Sequence, residues 1–119
     1  MEEWNRGKWI FKDIHGYGYP YYHIHPYKQK VVREIVEYLP DWVEGVIVFG
    51  SAIHPSHMWW NDLDICVIGH RQRGKSVGYH GVDCDILYLK SLEDLVELAE
   101  FEFNSIYYNI KQDGVLVYE

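Results

Sequence analysis

The tightest constraint on this chain is residues 46–68, V-I-V-F-G-S-A-I-H-P-S-H-M-W-W-N-D-L-D-I-C-V-I. An apolar run stops at Gly50-Ser51, ten residues intervene, and Asp62-Leu63-Asp64 opens a second apolar run. Short apolar runs bounded by glycine and polar clusters read as strands, so the stretch reads as strand, turn, strand. Side chains alternate along a strand, which puts Asp62 and Asp64 on one face, about 7 Å apart. Two like charges at the head of an apolar segment repel each other and resist desolvation unless a cation or water compensates them. Magnesium suits the role because it takes carboxylate oxygens together with water and substrate phosphate. Gly50, with no Cβ, lets backbone approach a phosphate closely, and Ser51 adds a hydroxyl and an amide donor. An isolated D-x-D reads more readily as a solvated strand start after a glycine turn.

A further acidic element stands at residues 81–89, G-V-D-C-D-I-L-Y-L, a strand-like run with Asp83 and Asp85 on one face. Gly-Ser, ten residues, D-x-D and a later strand with an acidic residue followed by apolar ones together resemble the polymerase-beta-type nucleotidyltransferase superfamily, in its minimal single-domain form. The resemblance covers residues 27–119. It implies that Gly50 and Ser51 hold a nucleoside triphosphate, and that Asp62 and Asp64 bind two magnesium ions with Asp85 as the third carboxylate. Asp83 is the alternative third carboxylate; Asp85 fits the family better because Ile86-Leu87-Tyr88-Leu89 follows it directly. The three carboxylates are then expected in one cleft, with Gly50-Ser51 at its rim. After the serine the family commonly shows G-S-x-A-x-G, where this chain has Ala52-Ile53-His54-Pro55, and Asn61 replaces the frequent serine before D-x-D.

A length of 119 residues suits one domain, and 48% hydrophobic residues suit an ordered globule. We expect a small α/β (α+β) domain with a mixed sheet flanked by helices, comprising an aromatic-rich extension at 1–26 packed on a nucleotidyltransferase domain at 27–119. No apolar run approaches the roughly 20 residues of a membrane span, and M-E-E-W-N-R-G-K lacks a signal peptide's apolar segment, so a cytoplasmic protein without a membrane partner is expected. A net charge of −7 disfavours nucleic acid as a partner. Arg71, Arg73 and Lys75 read as a solvated turn more than as a basic patch. Cys66 and Cys84 lack zinc spacing and sit in apolar runs, which marks them as buried reduced thiols.

Taken in order, Trp9-Ile10-Phe11 reads as a short strand. The following Tyr17, Tyr19, Tyr21 and Tyr22 read as an aromatic cover or a stacking surface, and His23 and His25 as loop residues. Residues 27–39 carry Val31, Val32, Ile35, Val36 and Leu39 on one helical face before Pro40. Strands are expected at 42–50, 62–69 and 81–89, with 71–79 as a turn. Trp59 and Trp60 lie in a loop overhanging the site, where they could contact a base or seal the sheet edge. Ser91 with Asp94 resembles a capping box; helix then continues, with or without a break, to Gly114, and residues 115–118 form a last strand.

The resemblance implies a magnesium-dependent enzyme transferring a nucleoside monophosphate to a hydroxyl acceptor. Minimal members often pair with a helical HEPN-type protein as toxin and antitoxin, which makes a partner's hydroxyl the first acceptor to consider and an aminoglycoside-type small molecule the second. The alternative is an inactive nucleotidyltransferase-like binding or antitoxin subunit, which the altered loop after Ser51 favours. The aromatic residues between Trp9 and Tyr27 are expected at a protein interface, with a second copy or a helical partner.

Overall fold

The computed structural model describes residues 9–13, 24, 26–53, 62–101 and 106–118. In chain order the elements are β1 (Trp9–Asp13), α1 (Pro26–Glu37), β2 (Gly45–Phe49), a 3₁₀ turn (Gly50–Ile53), β3 (Leu63–Ile68), β4 (Lys75–Tyr79), β5 (Val82–Leu89), α2 (Leu92–Phe101), α3 (Ile106–Asp113) and β6 (Val115–Tyr118). The six strands form one mixed sheet in the order β1-β6-β2-β3-β5-β4, in which only β3 and β5 run parallel. This is the expected α+β class. The tyrosine-rich residues 14–23, His25, residues 54–61 with Trp59 and Trp60, and residues 102–105 within the expected helical stretch lie outside the described residues.

Helix α1 begins at Pro26, whose missing N–H costs nothing in a first turn. Lys28, Val31, Val32, Ile35 and Val36 are buried, the three-and-four spacing of a helix with one inward face. Its last turn tightens through the Tyr38 N–H to the Ile35 carbonyl (3.0 Å) and the Leu39 N–H to the Val36 carbonyl (3.1 Å), and Pro40 follows. The valines and isoleucine pack on one sheet face with Val46, Val48, Ile65, Val67, Cys84 and Ile86. On the other face Ile47, Phe49, Cys66, Ile68, Leu89 and Leu116 meet Leu95 of α2 and Ile110 of α3. The sheet is thus sandwiched between α1 and the α2–α3 pair, and central β2 is buried along its whole length. Cys66 and Cys84 are free and buried, and they belong to opposite faces.

Residues 71–79, expected to be a turn, contain the edge strand β4. It pairs on one side only and is exposed over nearly all its length, so K-S-V-G-Y carries none of the apolar alternation that betrays a half-buried strand. A two-residue turn joins it to β5, with His80 (φ 51°) and Gly81 (φ 78°) both left-handed, as such tight hairpins require. The turn is fastened to α1 by the Tyr27 hydroxyl donating to the His80 carbonyl at 2.6 Å and by His80 Nε2 lying 2.7 Å from Glu34 Oε2. The chain thereby passes from β3 to the sheet edge and returns through β5, which slots in beside β3 and parallel to it.

Residues 9–11, expected as a short strand, lie in β1 at the opposite edge, which runs on to Asp13 and pairs with β6. Among the described residues no helix is long and apolar enough to cross a membrane. At the start of α2 the Asp94 amide donates to Ser91 Oγ at 3.0 Å, which satisfies one of the helix's orphan donors. Ser91→Ala is expected to cost about 1 kcal/mol of unfolding free energy and Ser91→Gly only a few tenths, as read by urea denaturation.

Candidate functional site

Four strands contribute to one rung across the α2–α3 face. Register pairs Phe49 with Asp64, Asp64 with Asp85, and Asp85 with Ser76. Neighbouring strands lie about 4.8 Å apart, so Asp64 and Asp85 stand side by side with their side chains on the same face. At the outer end Ser76 Oγ donates a hydrogen bond of 2.6 Å to Asp85 Oδ1. These residues, with Gly74, Lys75 and Ile106, line a cleft of about 460 Å³. A second recess, of about 380 Å³, lies on the α1 face between Tyr38, Leu39, Val77 and Tyr79; Lys75 is the one charged residue among those described along it. The acidic chemistry therefore belongs to the first cleft.

Gly50 closes the inner end. Its φ of 72° is a left-handed turn, and a Cβ added there would run into Asp64 Oδ2. The chain can leave β2 past the carboxylate only because this residue has no side chain. Ser51 follows, exposed, in the 3₁₀ turn. Half-burial is the main reason that the Asp64 carboxyl is pushed up to about 6, with the charges of Asp85 and then Asp62 adding to it.

The expected set of three carboxylates is not assembled. Asp62 is exposed and stands one residue ahead of β3, where no ladder pairing fixes its backbone. Among the described residues no group of three or more His, Cys, Asp or Glu side chains is placed to hold a metal ion. Asp83 pairs with Gly78, is exposed, and lies two residues short of the rung that Asp85 occupies. What remains, Asp64 beside Asp85, is a hard-oxygen donor pair raised in energy by its own repulsion. Such a pair fits magnesium, which is commonly held by one or two carboxylates and takes its other ligands from water and phosphate.

Ser76 is absent from the sequence-derived site, and Lys75 reads there only as part of a solvated turn, because an exposed edge strand has the polar pattern of a turn. The usable signal was the His80-Gly81 pair: counting back across a two-residue hairpin from Asp85 lands on Ser76. On the opposite sheet face Lys28 occupies an apolar position of α1. Burial lowers its pKa, while the nearby Cys84 and Asp62 favour its charged form.

No protein-family model, no curated protein and no solved structure matches the chain.

Two expectations follow from this geometry. A carboxyl raised in the folded state contributes stability below its unfolded pKa, near 4, and loses it as pH rises through about 6. In magnesium-free buffer Asp64→Asn should therefore be more stable than the parent at pH 7.5 by about 1–2 kcal/mol, an amount reduced for solvent screening of a half-buried group, with the advantage gone at pH 4. Urea midpoints at the two pH values measure this. Gly50→Ala should lose about 1–2 kcal/mol through the strained turn and displace the Asp64 carboxylate, visible as a changed Asp64 titration by NMR.

Proposed function

We propose that the chain is a magnesium-dependent nucleotidyltransferase of the polymerase-beta type, moving a nucleoside monophosphate from a triphosphate to a hydroxyl acceptor. The observation that carries this reading is the adjacency of Asp64 and Asp85 on one rung, with Gly50 packed against Asp64 Oδ2. Asp64 and Asp85 would hold the cation, with Asp62 joining from the head of β3. Gly50 and Ser51 would receive the phosphate tail, since a glycine turn beside a carboxylate-bound cation admits phosphate oxygens closely. Magnesium, when bound, would offset charge on the transferring phosphate and the departing pyrophosphate. Asp85 accepts a hydrogen bond from a hydroxyl at 2.6 Å, the contact a carboxylate needs to take up an acceptor's proton. A hydroxyl on a helical HEPN-type partner is the first external acceptor and an aminoglycoside-type small molecule the second. Two buried free thiols on opposite sheet faces agree with a reducing, cytoplasmic setting.

The second reading is an inactive nucleotidyltransferase-like subunit that binds a triphosphate or neutralises a toxin partner. The exposed position of Asp62 and the lack of a three-carboxylate cluster among the described residues favour it.

Incubation with each α-labelled nucleoside triphosphate and candidate hydroxyl acceptors, with and without magnesium, separates the two. Catalysis is expected to give magnesium-dependent label transfer that Asp64→Asn and Asp85→Asn each reduce at least a hundredfold, as loss of a key electrostatic group commonly does. Magnesium-dependent triphosphate binding without transfer supports the inactive subunit. Absence of binding for all bases refutes catalysis and the triphosphate-binding form of the second reading.

A further inference from the structure

We infer that Ser76 is itself an acceptor, so that the protein nucleotidylates its own edge strand. The inference rests on the nucleotidyltransferase reading of the same cleft and goes beyond it by placing an acceptor within the chain.

The argument begins with the order of groups along the rung. Gly50 lies against Asp64, Asp85 follows on the next strand, and Ser76 ends the row. A phosphate tail at the Gly50-Ser51 end and a nucleophile at the Ser76 end would approach the carboxylate pair from opposite sides, the arrangement an in-line displacement at phosphorus requires. The Ser76 hydroxyl already donates a hydrogen bond to Asp85 Oδ1 at 2.6 Å. A hydroxyl in hydrogen-bond contact with a carboxylate is a nucleophile paired with its base, and Asp85 retains its second oxygen for a cation. Ser76 is also exposed, on a strand paired along one side only, so no packed layer has to open for it to meet a bound triphosphate.

The step balances without another reactant. Ser76 Oγ forms a bond to the α-phosphorus of a nucleoside triphosphate while its proton passes to Asp85. The bond from the α-phosphorus to the bridging oxygen breaks, and pyrophosphate leaves with that electron pair. The product is a nucleoside monophosphate ester on Ser76.

Intact-protein and peptide mass spectrometry after incubation with each nucleoside triphosphate and magnesium tests this, alongside calorimetric binding of an α,β-methylene triphosphate analogue. The parent protein should gain one nucleotidyl group, located on the peptide containing Ser76. Ser76→Ala should lose that gain more than a hundredfold while binding the analogue within about threefold of the parent, a change of under 1 kcal/mol. Ser76→Thr, which keeps a hydroxyl, should regain part of the modification and guards against a folding defect in the alanine variant. An adduct on a different residue, or analogue binding with no adduct, overturns the inference and leaves the nucleotidyltransferase reading standing. Failure of the parent to bind the analogue with magnesium overturns both.

Discussion

The repulsion between Asp64 and Asp85 is the interaction on which the candidate site depends. Parallel pairing of β3 and β5 fixes the two residues as register partners, so their backbone positions cannot separate without breaking the ladder. They also cannot be fully hydrated, because half-burial on the α2–α3 face raises the cost of charging Asp64. A fold that holds two carboxylates together in this way stores unfavourable energy that a divalent cation releases.

The surrounding architecture supplies the rigidity. Core residues clamp β2 and β3 from both faces, and β3 is buried from Ile65 to Ile68 while Asp64 alone along the strand is half exposed. The site therefore lies at the rim, where burial gives way to solvent over a single residue. Gly50 serves the same end from the neighbouring strand, since any side chain there would push against the carboxylate. The outer wall is held more lightly: β4 is an edge strand, and its hairpin turn is fastened to α1 through Tyr27, Glu34 and His80. A rigid inner pair beside an exposed outer strand leaves the cleft open to solvent along the β4 side.

Strong periodicity made much of this legible. The apolar runs around Val46 and Ile65, the helical spacing from Val31 to Val36, the Ser91 cap and the closing Val115–Tyr118 strand each have a local physical cause that the sequence displays. β4 did not, because an edge strand exposed on both faces needs no apolar pattern, and Ser76 was lost with it. Asp62 is a different case. Alternation would put it on the face of Asp64 within a strand, yet β3 begins at Leu63 and leaves Asp62 outside the ladder. Lys28 shows the converse, a charged residue in an apolar register that helical spacing alone assigns to the core. The expectation that 17–22 and 59–60 present aromatic surfaces concerns residues outside those described.

The central claim is that Asp64 and Asp85 form a strained pair that a divalent cation relieves. Carboxyl-carbon NMR of Asp64, titrated with pH in the absence and presence of saturating magnesium, tests it most directly. The account predicts a midpoint of about 6 without the ion and a fall of at least about one unit with it, since an adjacent opposite charge lowers a carboxyl by roughly 1–3 units. An Asp64 midpoint near 4 in metal-free buffer, or one near 6 that magnesium leaves unmoved, would contradict it.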